Sequence, residues 1–257
     1  MSGVRLAPPQ PPNPDSKVKG KGTAPVRPDL RLERLLWQQG LERVAGVDEA
    51  GRGAWAGPVV AAAVVLPRAL EPLSQLLELP PGVRDSKALS PQQRADEAEI
   101  IRRLACDVAV GIVSQEVVDE LGLACAGQLA FWRAVCALAT PPEFLLVDGF
   151  PLWSPSYRQA AILQGDQHCV SVAAASIVAK VTRDEIMRAL DVEAPEYGFG
   201  QNCGYGTPSH RRALHRFGPS RYHRRSYQPV AASVNSDDCD PGPDSGAEAD
   251  LAEDQHA

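Results

Sequence analysis

The sequence has no cysteine pattern that could organise a fold. Its six cysteines, Cys106, Cys125, Cys136, Cys169, Cys203 and Cys239, form no C-x-x-C pair and join no His/Cys cluster at zinc-ligand spacing. A disulfide-stapled or zinc-built framework is thereby excluded. Most sit among apolar neighbours, so buried free thiols are expected. No run of 18 apolar residues exists, which excludes a transmembrane helix of ordinary length. The first residues are polar and proline-rich rather than an apolar leader. A reducing, cytoplasmic location and no membrane partner are the expectations that follow. Internal repeats are absent as well.

The charge is lopsided. The chain of 257 residues carries a formal net charge of −6. Residues 1–28 hold five basic side chains against one acid, and residues 229–257 hold eight acids with no Lys or Arg. The middle is left near neutral, so the acidic total is no argument against a nucleic-acid partner. Both ends lack hydrophobic periodicity and are rich in Pro, Gly, Ser or charge. Such segments cannot bury enough apolar area to offset their ordering entropy. The expected organisation is a basic tail over 1–28, a catalytic domain over 29–228 and an acidic tail over 229–257, both tails disordered.

What is present is a core with 44% hydrophobic residues over the whole chain, enough for a substantial interior. Strands are predicted at Arg43–Val47, Val59–Leu66, Asp107–Val113 and Phe144–Val147. The second is apolar throughout, as in a strand covered on both faces. Helices are predicted at Pro91–Leu104 with Ser90 as N-cap, Gly127–Leu138 stopped by Pro141-Pro142, Ser171–Leu190 and Pro208–Phe217. Strands and helices alternate in the second half, which predicts an α/β fold.

Four acids stand at element ends. Asp48 and Glu49 follow the first strand and precede Ala50-Gly51-Arg52-Gly53. Neighbouring strand residues point to opposite sides, so both acids reach one site only where the backbone bends. The glycines flanking Arg52 supply such a bend. On these six residues alone a polar turn is the simpler reading. Asp148 ends a buried strand, where α/β sheets place their sites, although Asp148-Gly149 could equally form a turn. Asp166 precedes an alanine-rich helix, which it could simply cap. Together the four suit a hard divalent cation, because unpaired carboxylates repel one another.

These segments resemble the bacterial ribonuclease HII family, type 2 ribonuclease H, over about residues 42–228. Val44–Gly53 is similar to its opening signature, and Gly57-Pro58-Val59-Val60 continues it. Arg84-Asp85-Ser86-Lys87-Ala88-Leu89-Ser90, Leu146-Val147-Asp148-Gly149, Gly165-Asp166, Ser171–Asp184, Gly204-Tyr205-Gly206-Thr207-Pro208-Ser209-His210 and His223-Arg224-Arg225-Ser226-Tyr227 follow in the family's order. Ala54, Gln164 and Gly127 depart from its pattern, and none of them removes a carboxylate.

The resemblance implies an RNase H-like fold, with a central mixed sheet flanked by helices and a C-terminal helical portion. It implies an endonuclease that cuts the RNA strand of RNA–DNA hybrids. It also implies nicking 5′ to single ribonucleotides in duplex DNA, leaving 5′-phosphate and 3′-hydroxyl. Two Mn²⁺ or Mg²⁺ ions would be held by Asp48, Glu49, Asp148 and Asp166, clamping an in-line displacement. Gly51, Arg52, Gly53 and Tyr205 would read the ribonucleotide through its 2′-hydroxyl. Ser86, Lys87 and Lys180 would contact phosphate or support the site. A monomer is the family expectation. Arg211, Arg212, Arg216, Arg221, Arg224 and Arg225, with no acid across 203–228, read as a phosphate-tracking surface. A DNA-directed nuclease of similar fold and a non-catalytic hybrid-binding module are the competing readings. The Gly-Arg-Gly turn with Tyr205 argues against the first, and the full set of acids against the second.

Overall fold

The computed structural model describes residues 28–69, 90–154 and 156–234. Along these residues run helix α1 (Arg31–Gln38), strands β1 (Val44–Ala50) and β2 (Val59–Val65), helix α2 (Pro91–Leu104), strand β3 (Asp107–Val113) and helix α3 (Gln115–Cys136). Strands β4 (Phe144–Asp148) and β5 (Gln159–Ile162) follow, then helices α4 (Gly165–His168), α5 (Val170–Glu193), α6 (Phe199–Asn202), α7 (Pro208–Phe217) and α8 (Gln228–Val234). The five strands form one sheet in the order β3-β2-β1-β4-β5. Neighbours β1/β2 and β2/β3 are antiparallel, whereas β1/β4 and β4/β5 are parallel. The sheet is therefore mixed and flanked by helices, as expected.

Strand alternation sorts the core into two layers. Val44, Ala62, Val64 and Leu146 pack under α5, while Ala45, Val47, Ala61, Ala63, Val65, Leu145 and Val147 pack under α3. This explains why β2 is apolar at every position: both of its faces are covered. Gly46 lies on the α5 face, where a Cβ would meet the Ser171 carbonyl carbon at 2.1 Å and the Val172 nitrogen at 2.4 Å. Only glycine lets the helix backbone come this close. A third, smaller cluster joins Ala56, Met187, Ala194, Tyr197, Phe199 and Tyr222 beneath the C-terminal helices.

Two helix starts show how local chemistry sets the frame. Ser90 caps α2: its side chain accepts from the Gln93 amide while the Gln93 side chain accepts from the Ser90 amide. Such a reciprocal cap is worth about 1 kcal/mol. Glu33 of α1 reaches the start of α5, accepting from the Ser171 amide at 2.8 Å and its hydroxyl at 2.7 Å. A buried carboxylate at a helix N-terminus is stabilised by the helix dipole, and burial nonetheless pushes the Glu33 carboxyl above its ordinary pKa.

Several expectations are corrected. Helix α3 begins at Gln115, twelve residues before the predicted start, and consists of two helical stretches that meet at a break at Gly122 (φ 78°). Strand β1 continues through Glu49 to Ala50, so the backbone does not bend between the two acids. α8 extends to Val234 with Val230 fully buried, past the boundary expected at 228. Cys106, Cys125 and Cys136 are exposed, and of the described cysteines only Cys169 is buried. Cys239, Ser86 and Lys87 lie outside the described residues.

Candidate active site

The carboxyl ends of β1 and β4 lie side by side, with Val47 paired to Val147. Asp48 and Asp148 are thus brought to one level on neighbouring parallel strands. Both occupy the sheet face covered by α5, as the alternation from Val44 and Leu146 requires. Glu49, one residue on, turns toward the α3 side. The two faces meet at the strand ends, and a single pocket of about 280 Å³ is lined by Asp48, Glu49, Asp148 and Asp166 together with Gly51, Arg52, Gly53, Ser176, Lys180 and Tyr205. Each sequence-predicted site residue within the described residues lines this pocket.

The acid wall is rich in charge and poor in compensation. Asp48 is buried, accepting from the Glu49 amide at 2.7 Å and from the Ser176 hydroxyl. Burial, and then Glu49 and Asp148 beside it, hold the Asp48 carboxyl well above the usual carboxylate range. Glu49 is also raised by burial, opposed by its 3.0 Å ion pair with Arg52. Its second oxygen is buried with no hydrogen-bond partner among the described residues. Asp148 accepts from the Gly165 amide at 2.6 Å, which ties β4 to the turn that carries Asp166. Among the described residues no three His, Cys, Asp or Glu side chains are gathered closely enough to form a ready-made metal cage. The oxygen donors, the unpartnered Glu49 oxygen and the uncompensated charge still fit a hard divalent cation, since carboxylates without one stay apart.

The opposite wall is built from backbone carbonyls gripped by arginines. Arg183 of α5 is fully buried and donates to the carbonyls of Pro58 (2.9 Å), Cys203 (2.8 Å) and Ala56 (3.0 Å). Arg224 is equally buried and donates to Gly57 (two contacts, 2.9 and 3.0 Å) and Arg52 (2.9 Å). Gly51 adopts φ 92°, and a Cβ there would strike Arg183 Nε at 2.0 Å. The turn after the acids is thus shaped by residues far along the chain. The Gly204 carbonyl accepts from the Trp55 and Ala56 amides, which docks Tyr205 beside that turn. Tyr205 is 36% exposed, with Lys180 Nζ 5.6 Å and Arg183 5.4 Å from its ring centroid.

Behind Tyr205 lies a buried histidine pair whose protons can be assigned from its partners. His210 Nδ1 faces the Tyr205 carbonyl at 2.9 Å; a carbonyl only accepts, so Nδ1 carries the hydrogen. His223 Nδ1 faces the Ser220 amide at 3.0 Å and must accept, which puts its hydrogen on Nε2. The 3.0 Å contact between the two Nε2 atoms is then one N–H···N bond, donated by His223. Burial pulls both imidazoles down, His223 to about 4 with His210 adding to the effect.

The phosphate-tracking reading is narrowed by these contacts. Arg224 spends its guanidinium inside, and Arg221 pairs with Glu193 at 2.5 Å. Arg211, Arg212, Arg216 and Arg225 remain exposed, with Arg211 over the Trp55 ring at 5.3 Å. Lys180 pairs with Asp184 at 2.6 Å one helical turn away. Sequence reasoning assigned no role to Ser176, Arg183, Trp55 or the histidine pair. The one local signal was a lone hydroxyl at Ser176 on an otherwise small, apolar helix face.

A helix-flanked mixed sheet with acids at the ends of adjacent parallel strands is the arrangement to compare with solved ribonucleases H. The chain superposes on ribonuclease H2 from Pyrococcus horikoshii with TM-score 0.62 at 27% identity, covering 75% of this chain and 97% of that one. It also superposes on the RNase HII of an Archaeoglobus fulgidus complex with PCNA, with TM-score 0.60 at 29% identity, covering 74% and 96%. The chain belongs to the ribonuclease HII family, whose model matches residues 45–230. It is 51% identical to ribonuclease HII of a Synechococcus strain over 205 residues (80% of this chain, 90% of the relative) and 46% identical to that of Chloroflexus aurantiacus over 209 (81% and 97%). It is accordingly a hydrolase acting on RNA in RNA–DNA hybrids. No helix among the described residues is long and apolar enough to cross a membrane.

Proposed function

We propose that this chain also nicks duplex DNA on the 5′ side of a single embedded ribonucleotide, leaving 5′-phosphate and 3′-hydroxyl ends. The observation that supports this reading is the joint lining of one pocket by four carboxylates, the Gly51-Arg52-Gly53 turn and Tyr205. Asp48, Glu49, Asp148 and Asp166 would hold two divalent cations, Mn²⁺ or Mg²⁺; a homologous-fold ribonuclease HIII has been solved with Mn²⁺. Bound there, such ions supply an activated water and charge neutralisation at phosphorus.

The chain's own groups do the positioning. Ser176 orients the Asp48 carboxylate, and the Gly165 amide orients Asp148. Arg52, half exposed and resting on Glu49, would exchange that carboxylate for the substrate phosphate, to which a guanidinium can bind bidentately. The ribose 2′-hydroxyl would meet the backbone of the Gly51–Gly53 turn and the Tyr205 hydroxyl. A deoxyribose there leaves a desolvated polar group unpaired, which costs about 1–3 kcal/mol. Arg211, Arg212, Arg216 and Arg225 would follow the duplex backbone on the C-terminal side, the protein acting as a monomer in the cytoplasm.

The deciding experiment offers the protein an end-labelled DNA duplex carrying one ribonucleotide, with Mn²⁺ or Mg²⁺ and then with EDTA. The expected product is a single metal-dependent nick 5′ to the ribonucleotide. Cleavage of a continuous hybrid without any such nick would restrict the activity to hybrids and sink the finer reading.

A further inference from the structure

A second groove opens on the far side of the acids. It has a volume of about 320 Å³ and shares Glu49, Arg52 and Asp148 with the catalytic pocket, but its remaining walls come from α3 and the loop after β4. Gln128 and Phe131 form the α3 side, and Phe150 and Trp153 the loop side. Phe150 and Trp153 are each 66% exposed. Large aromatics left in water beside a polar site mark a contact surface rather than a packing remainder.

The loop that presents them is held in place. Gln128 donates to the Pro151 carbonyl at 3.0 Å and accepts from the Trp153 amide at 2.7 Å. Gln159 accepts from the Leu152 amide and donates to its carbonyl, each at 2.8 Å, and donates to the Ser154 carbonyl at 3.1 Å. Leu152 between them is buried. Two side-chain amides and one apolar anchor thus fix a short loop with its rings outward. Trp132, one turn beyond Gln128 and edge-on to Tyr157 at 6.2 Å, carries the aromatic strip further from the acids.

The chemistry of the groove selects its occupant. Among its lining residues the one cation is Arg52, at the catalytic end; Arg133 on α3 and Arg158 beyond the loop are exposed but do not line it. The lining itself, aromatic and apolar apart from that arginine, the Gln128 amide and the two acids, offers little to a phosphate. A nucleic-acid face made of sugars and base edges suits it. The minor groove of an A-like duplex is wide and shallow and offers that face, and apolar side chains are well suited to pack into minor grooves.

We propose that the groove between α3 and the 150–154 loop is a second substrate-contact surface. It takes the minor-groove face of the duplex next to the cut bond, with Phe150 and Trp153 packed on sugars and base edges. This rests on the hybrid-cleaving reading of the adjacent pocket.

The test measures binding of a fluorescein-labelled RNA–DNA hybrid in EDTA across a salt series, and kcat and KM with Mn²⁺. The proteins are wild type, Phe150→Ala/Trp153→Ala and Trp153→Phe. The double variant is expected to raise Kd and KM about tenfold, within the range found for aromatic contacts to bases. Its kcat should stay within about twofold, and its slope of affinity against salt should not change, because no phosphate contact is lost. Trp153→Phe should keep most of the affinity. A double variant whose Kd and KM match wild type overturns the surface while leaving hybrid cleavage intact, as does an affinity loss with a flattened salt slope. Wild type that neither binds nor cuts the hybrid overturns the underlying reading as well.

Discussion

The two walls of the catalytic pocket are built on opposite principles. The acid wall, Asp48, Glu49, Asp148 and Asp166 at the ends of β1, β4 and the start of α4, has more negative charge than its partners compensate. The facing wall, residues 51–58 and 203–227, is held from behind by two buried arginines: Arg183 and Arg224 between them satisfy five backbone carbonyls. One wall stores electrostatic tension that a cation can relieve; the other removes conformational freedom so that the turn and Tyr205 stay put. The proposed function, binding metal and measuring a sugar, would need the two together, and here the two walls come from separate parts of the chain.

Three substitutions or conditions should separate the walls. Asp148→Asn should have the largest effect, lowering kcat on a hybrid by about a thousandfold or more, equivalent to roughly 4 kcal/mol. Asparagine keeps an oxygen for the Gly165 amide, so the metal-free melting temperature should hold or rise as repulsion with Asp48 falls. A variant that cuts normally, or melts far lower, would contradict the division of labour. Arg183→Ala should do the reverse, destabilising the fold by about 3–5 kcal/mol in urea titration, because three carbonyls lose a buried charged donor. Arg183→Lys should recover little, since an ammonium cannot reproduce the planar fork. An unfolding midpoint equal to wild type for Arg183→Ala would show that the clamp is dispensable.

The smallest effect is in acid. An unfolded histidine takes up its proton near 6.5, whereas folded His223 stays neutral down to about 4. Between those values the unfolded chain binds more protons, so stability is complete above about 6.5 and falls as the pH is lowered toward 4. The loss for His223 is at most about 3 kcal/mol. Melting curves of wild type and His223→Gln between pH 7.5 and 4.5 should converge as the pH falls. Parallel curves would mean that the imidazole pair does not titrate as assigned.

The sequence showed the acid wall more readily than its counterpart, for a physical reason. Asp48, Glu49 and Asp148 close apolar strands, and a strand's pattern is local. β2 and α2 were placed within a residue for the same reason. β5 escaped notice because it is a short edge strand with mostly half-buried residues, and α1 because it is only eight residues long and its apolar Leu32, Leu36 and Trp37 share the buried side with a polar residue, Glu33, whose partner is a helix start far along the chain. Arg183 and Arg224 look like surface cations in sequence. Nothing near them in the chain reveals the carbonyls they serve, which lie 20 to 172 residues away. For that reason Arg224 was counted with the exposed arginines of its stretch, although it is buried, and the histidine pair was passed over.

Gly46 works as a common origin for two rulers. Strand β1 and helix α5 touch backbone to backbone there. From that point Asp48 is two strand residues away, about 6.7 Å at 3.3–3.4 Å per residue. Ser176 is four to five helical residues from the Ser171–Val172 contact, about 6–7.5 Å at 1.5 Å per residue. The two lengths agree, and the hydroxyl arrives where the carboxylate ends. Inserting one residue in either arm would destroy that agreement without removing a single functional group.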